Sequence, residues 1–358
     1  MTRVAPRSDV ALMAGYHSPQ LDVAVRLNTN EAPIAPPQEF LDAVAAAVTE
    51  VEWNRYPDRD ATHLRIRLAE VEGVDPAQVF VANGSNEVLQ TLLLAYGGHG
   101  RTALTFEPTY ALHGHIARLV GTSVSEVERS EDFTLRVDSV VGAVERIRPD
   151  VTFLCSPNNP TGLVDPPEVT AAALDAVDRV PGLLIVDEAY GQFAPRSLVA
   201  EVSDDRPLVV TRTFSKTWSM AAARLGYAVA PEWVIEQLDK VVLPYHLDAT
   251  KQAVGLAALD HVEAMRERVA ALVSERERLV GRLGRLDVHV WPSGANFVLF
   301  RPNGRSGDDV WQALVQRGVL VRNCSAWPRL EDCLRVTIGT PIEDDTFLDV
   351  LTDILGAT

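Results

Sequence analysis

The chain has 358 residues, 47% of them hydrophobic and 23% charged, with a formal net charge of -16. That supplies apolar material for a full core and two domains, and the acidic balance argues against nucleic acid or an anionic membrane as the main partner. No apolar run is long enough to span a bilayer. The opening MTRVAPRSDVALMAG has no apolar signal core, and Cys155, Cys324 and Cys333 show no CxxC spacing. They are expected as reduced thiols of a cytoplasmic protein, not as a metal site.

In chain order, the first helical pattern is FLDAVAAAV (40–48), after a Pro-rich connector near Ala35. Then short apolar runs alternate with helical ones. VFVAN (79–83), TALTF (102–106), VTFLC (151–155), LLIVD (183–187), LVVTRT (208–213) and LGYAVA (225–230) read as buried strands. NEVLQTLLLAY, EVTAAALDAV and PEWVIEQLDKVV read as the helices among them. Continuous apolar strands alternating with helices predict an α/β fold with a mostly parallel sheet between helices. After about residue 248 a single long charged helix is expected over 257–283. Strands DVHVW, ANFVLF, GVLVRN and CLRVTIG follow, with helices VWQALVQRG and FLDVLTDIL, as a smaller α+β domain. The expected division is an N-terminal arm (1–28), a large domain (29–250) and a small domain (251–358).

Ligands of open α/β sheets bind beyond the carboxyl ends of the strands, and five of these runs end in polar groups. VFVA leads to Gly84, Ser85 and Asn86, TALTF to Tyr110, and VTFLC to Asn158 and Asn159. LLIV leads to Asp187 and Tyr190, and LVVTRT to Ser215 and Lys216. Lys216 is one of three lysines in a chain whose other cations are arginines. An amine can lose its proton and form an imine with an aldehyde, which a guanidinium cannot. Any one of these strand ends has an ordinary reading as a cap or a turn. Together they point to a pyridine aldehyde cofactor. Lys216 holds it, Asp187 keeps its ring nitrogen protonated, and Asn159 and Tyr190 reach its phenolic oxygen. Tyr110 stacks on the ring. Gly84, Ser85, Asn86, Ser215 and Arg224 take its phosphate at a helix N-terminus.

These segments resemble pyridoxal-phosphate aminotransferases of the large aspartate-aminotransferase-like superfamily, and within it the histidinol-phosphate aminotransferases. LNTNEAP (27–33), RYPD (55–58), NGSNE (83–87), SPNNPTG (156–162), VDEAY (186–190), SK with Arg224, LPYHL (243–247), ANFVLF (295–300) and CLRVTIGT (333–340) carry the likeness in the family's order. The resemblance implies a type I PLP-dependent transferase fold and transamination of L-histidinol phosphate with 2-oxoglutarate in histidine biosynthesis. It implies Lys216, Asp187 and Tyr190 as the catalytic set. It also implies Tyr16, Asn30, Tyr245, Arg322 and Arg335 at the substrate, and a homodimer in which Tyr56 reaches the partner's cofactor phosphate. The alternatives on the same motifs are an aromatic amino-acid aminotransferase, a phosphothreonine decarboxylase and a non-catalytic PLP-binding regulator. The chain departs from the family pattern in SKTWSMAAAR, where Ala222 replaces a usual glycine and Trp218 is bulky. A steric cost at Ala222 is expected if that position needs positive φ. NEAP for the usual NENP is a milder departure.

Overall fold

The computed structural model describes residues 4–13, 15 and 19–356. Twelve strands form two sheets among the described residues. They are β1 Val25–Leu27, β2 Val79–Ala82, β3 Thr102–Glu107, β4 Ser123–Glu128, β5 Val151–Cys155 and β6 Leu183–Asp187. Then come β7 Leu208–Thr213, β8 Gly226–Val229, β9 Val288–Val290, β10 Phe297–Pro302, β11 Val319–Asn323 and β12 Leu334–Thr337. The larger sheet has the order β2-β8-β7-β6-β5-β3-β4. Its pairs are parallel except those made by β8, which is antiparallel to both β7 and β2. Two reversals cancel, so β2 runs with the parallel strands. The carboxyl ends of β2, β3, β5, β6 and β7 therefore meet at one edge.

The strands β5, β6 and β7 are buried along their whole length and mostly apolar because helices cover both faces. Leu104, Leu154, Val186 and Val210 pack toward the helices Thr62–Glu72, Val137–Ile147 and Pro167–Arg179. Phe153, Ile185 and Val209 pack toward Ser85–Tyr96 and Glu232–Val241. β4 has no counterpart in the sequence reading. SVSEVE is a sheet edge with polar residues exposed, so it lacks an apolar run.

The expected helix over 257–283 is two helices, Ala249–Leu259 and Val262–Leu283. The break falls at Asp260 and His261. Arg67 Nη2 holds the Asp260 carboxylate at 3.0 Å, and the His261 ring meets Phe40 edge-on at 5.9 Å. His261 leaves helical geometry at φ -114°. The second helix begins against the large-sheet core at Met265 and ends at Leu279 and Leu283 in the core of the smaller sheet.

The smaller sheet has the order β1-β11-β12-β10-β9. Its edge strand β1 comes from the N-terminal part of the chain and pairs parallel to β11. Residues 28–31 follow it directly, and Thr29, Asn30 and Glu31 line the cleft between the two sheets.

β8 starts where the other strands end. Gly226 lies directly under the backbone of Gly84 and Ser85, where a Cβ would collide with main-chain atoms that cannot turn aside. Gly226→Ala is expected to lose about 1–3 kcal/mol in urea unfolding through overpacking. Stability equal to wild type would show that this contact is loose.

Candidate active site

A cavity of about 290 Å³ opens at that carboxyl edge. Lys216 enters it from beyond β7, and its Nζ donates to the Thr29 carbonyl at 3.1 Å. Burial, then the nearby Arg335 and Arg224 charges, lower the Lys216 pKa from 10.5 to about 7, with Glu31 opposing. Such an amine is part neutral at physiological pH and is a usable nucleophile and base.

Asp187 ends β6 and is 2% exposed. The Ala189 N–H donates to its Oδ1 at 3.0 Å, and His113 Nε2 lies 2.9 Å from its Oδ2. An ionised carboxylate only accepts, so this pairing selects Nε2 as the protonated nitrogen. The sequence reading took the histidines as structural or surface groups. His113 is fully buried, stacked on Phe153 at 4.7 Å and edge-on to Tyr110 at 5.3 Å. No motif marks it, because it reaches Asp187 from the neighbouring helix Leu112–Leu119.

Tyr190 and Asn159 also reach the cavity wall. Asn30 Nδ2 donates to the Tyr190 hydroxyl at 2.9 Å. Burial pushes the Tyr190 pKa up to about 12, against the Arg335 charge and the Asn30 bond. The phenol thus stays protonated and able to donate. Asn159 Oδ1 accepts from Arg335 Nη1 at 2.5 Å, and Arg335 Nη2 donates to the Asn28 carbonyl at 3.1 Å. Arg335 Nε is buried without a hydrogen-bond partner. Asn30 is also fixed from below, with Thr337 Oγ1 donating to its Oδ1 and Asn296 Nδ2 to its carbonyl.

At the opposite wall the helix Ser85–Tyr96 points its N-terminus into the cavity. Gly84 holds the turn at φ +84°, and a Cβ there would stand 2.8 Å from Arg224 Nη2. Arg224 Nη1 donates to Ser215 Oγ at 3.3 Å, and the Tyr110 hydroxyl donates to Asn86 Oδ1 at 3.1 Å. Free N–H groups, two hydroxyls and a guanidinium make an anion cradle. The acidic group at the far end, the amine between them and the unpartnered guanidinium nitrogen complete a donor set that fits pyridoxal 5'-phosphate and an anionic substrate.

Three sequence-predicted residues stand apart from the cavity wall, and a fourth, Tyr16, lies outside the described residues. Tyr56 and Tyr245 stack on each other at 4.4 Å and are 79% and 41% exposed. Arg322 is paired in register with Arg335 and is buried, its guanidinium 5.2 Å over the Trp327 ring. Trp327 lines the cavity, and its indole stands between the cavity and the Arg322 guanidinium that it touches. The cost expected at Ala222 does not arise. Ser219 and Arg224 take the positive φ values, 57° and 52°, and Ala222 is exposed. Trp218 turns away from the cavity and stacks on Phe214 at 5.1 Å.

The sequence model of aminotransferase class I and II matches residues 22–351. The chain belongs to this family. It is similar to the histidinol-phosphate aminotransferase of Frankia casuarinae, 47% identical over 360 residues, 96% of this chain and 89% of that one. It is 45% identical to the histidinol-phosphate aminotransferase of Mycolicibacterium smegmatis, over 95% of this chain and 91% of the relative. The fold matches the crystal structure of the Sinorhizobium meliloti histidinol-phosphate aminotransferase in complex with pyridoxal-5'-phosphate, at a TM-score of 0.83 and 24% identity, covering 93% and 91% of the two chains.

Within this aminotransferase, burying a lysine whose pKa is lowered costs stability in full below about pH 7, and the cost shrinks as pH rises to 10.5, because over that range the unfolded state binds the extra proton. In cofactor-free protein, Lys216→Met is expected to gain about 1–2 kcal/mol at pH 7 in urea unfolding. The gain shrinks as pH rises toward 10.5, where the unfolded amine also loses its proton. A variant no more stable than wild type at pH 7 would mean that Lys216 keeps an ordinary pKa.

Proposed function

We propose that this aminotransferase moves the amino group of L-histidinol phosphate to 2-oxoglutarate, giving imidazole-acetol phosphate and L-glutamate in histidine biosynthesis. The observation that carries the reading is the convergence on one cavity of the near-neutral amine of Lys216, the Asp187 carboxylate and the Arg335 guanidinium. The relatives' names supply the substrate.

The geometry supports the following roles. Bound pyridoxal phosphate supplies the electron sink that stabilises negative charge on the substrate's amine-bearing carbon. Gly84, Ser85, Asn86, Ser215 and Arg224 hold its phosphate. Asp187, oriented by His113, keeps a proton on the ring nitrogen. Asn159 and Tyr190 bond the phenolic oxygen, and Tyr110 covers one ring face. Lys216 Nζ takes the proton from the substrate carbon and returns it elsewhere. Arg335 gives up Asn159 and Asn28 to take the substrate's anionic group in a two-pronged grip. Arg322 adds positive charge for a phosphate through the shared ladder position, Asn30 lines the substrate wall, and Tyr245 joins the wall of a second subunit.

We also propose a cytoplasmic homodimer. Tyr56, Tyr245, Trp53 and Leu243 expose large apolar surface, and Tyr56 and Tyr245 are the residues that need a second subunit to reach a cavity. The three unpaired cysteines suit a reducing compartment. In this reading residues 29–250 carry the cofactor, and 251–358 with the arm 1–28 carry the substrate arginines and shift on binding.

The test is the first half-reaction. Protein loaded with pyridoxal phosphate is mixed with L-histidinol phosphate or L-phenylalanine, and loss of yellow absorbance is followed. Fast, complete bleaching with histidinol phosphate and slow bleaching with phenylalanine is expected. The reverse order would make the enzyme an aromatic aminotransferase. Asp187→Ala is expected to slow bleaching by about 10²-fold or more with the fold retained. Near-normal turnover would overturn its role at the ring nitrogen.

A further inference from the structure

Two carboxylates line the cavity, Asp187 and Glu31. Asp187 is committed, buried and bonded to His113 and the Ala189 N–H. Glu31 has no part in the mechanism above. It stands exposed at the cavity mouth, where Thr29 Oγ1 donates to its Oε2 at 2.7 Å. The hydroxyl orients the carboxylate, and one short hydrogen bond leaves acceptor positions on it unused.

Residues 28–31 order the groups around them. The Asn28 carbonyl accepts from Arg335, the Thr29 carbonyl accepts from Lys216 Nζ, and Glu31 follows two residues on. The strap thus reads anion site, reacting amine, carboxylate. Three residues span at most about 10 Å. Histidinol phosphate has the same order along its own length: a phosphate, the amine-bearing carbon, then an imidazole. An imidazole N–H donates, and the ring carries part of a positive charge near neutral pH, since such rings titrate at about 6.5. A carboxylate is the complementary partner for that end, as a guanidinium is for the phosphate.

We infer that Glu31 is a specificity-determining residue that accepts a hydrogen bond from the substrate's ring N–H and so favours an imidazole over a phenyl ring. The inference rests on the reaction proposed above and names the contact that separates its substrate from an aromatic amino acid. A phenyl ring offers Glu31 no donor and leaves its charge facing carbon.

The experiment compares four amino donors in the holoenzyme: L-histidinol phosphate, L-histidine, L-phenylalanine and L-glutamate. L-histidine and L-phenylalanine share the α-carboxylate and differ in the ring, so their ratio isolates the N–H. Glu31→Ala is expected to lower kcat/KM for histidinol phosphate and histidine by about tenfold, through KM with kcat held. Phenylalanine and glutamate should stay within about twofold of wild type. Glu31→Gln keeps a carbonyl acceptor and should recover part of the loss. Calorimetric titration of L-histidinol phosphate into Lys216→Ala, with and without Glu31→Ala, reads binding without turnover and should weaken about tenfold in the double variant. Equal losses for histidine and phenylalanine would overturn the inference in favour of a role in shaping the strap. An unchanged Kd would overturn it as well. If wild type fails to use histidinol phosphate but the histidine-to-phenylalanine ratio still falls in Glu31→Ala, the proposed reaction fails and the ring contact stands.

Discussion

Lys216 carries a buried amine into the cavity, near two guanidinium groups. Charging it there sets a third cation against Arg335 and Arg224, and desolvation adds to the cost. Both effects favour the free base, the form that attacks a carbonyl and accepts a proton from carbon. The same two arginines that depress this pKa are the groups assigned to the cofactor phosphate and the substrate anion. Once those anions neutralise them, part of the pressure on the lysine is removed. Anion binding and lysine basicity are therefore linked through one set of charges.

The sheet makes that arrangement possible. Because β8 reverses between β2 and β7, the helix N-terminus after β2 faces the same edge as Asp187 and Lys216. The buried runs at 79–83, 102–106, 151–155, 183–187 and 208–213 were legible in the sequence because strands covered on both sides are apolar throughout. So were the polar groups that follow them, since a carboxylate or lysine leaving such a strand has few structural reasons to be there. β4 escaped notice because a solvated edge carries no apolar signal. The break at Asp260 and His261 escaped because its causes, Arg67 and Phe40, lie far away in sequence. His113 and Glu31 were missed for a related reason. His113 meets Asp187 only through the fold, Glu31 meets the cavity only there, and neither stands at the end of an apolar run.

The pairing of Arg322 with Arg335 is the least comfortable feature of the smaller sheet. Two buried guanidinium groups sit directly across an antiparallel ladder, where like charges repel. Trp327 under Arg322 and Phe297 under Arg335 spread that charge over ring faces, and Asn159 with the Asn28 carbonyl occupies the Arg335 donors.

Consecutive carbonyls at Asn28, Thr29 and Asn30 each accept from a different side chain, Arg335, Lys216 and Asn296. Every residue type supplies a carbonyl, so these three bonds are indifferent to which side chains stand at those positions. They are sensitive instead to chain length. A deletion or insertion of one residue between β1 and Asn30 would shift each acceptor to the wrong donor while leaving the composition of the site untouched. These three carbonyl bonds therefore constrain the strap's count and not its spelling, which is held separately by the Asn30 side chain at Tyr190 and Thr337. The strap's length is a constraint that no single-residue substitution scan would detect.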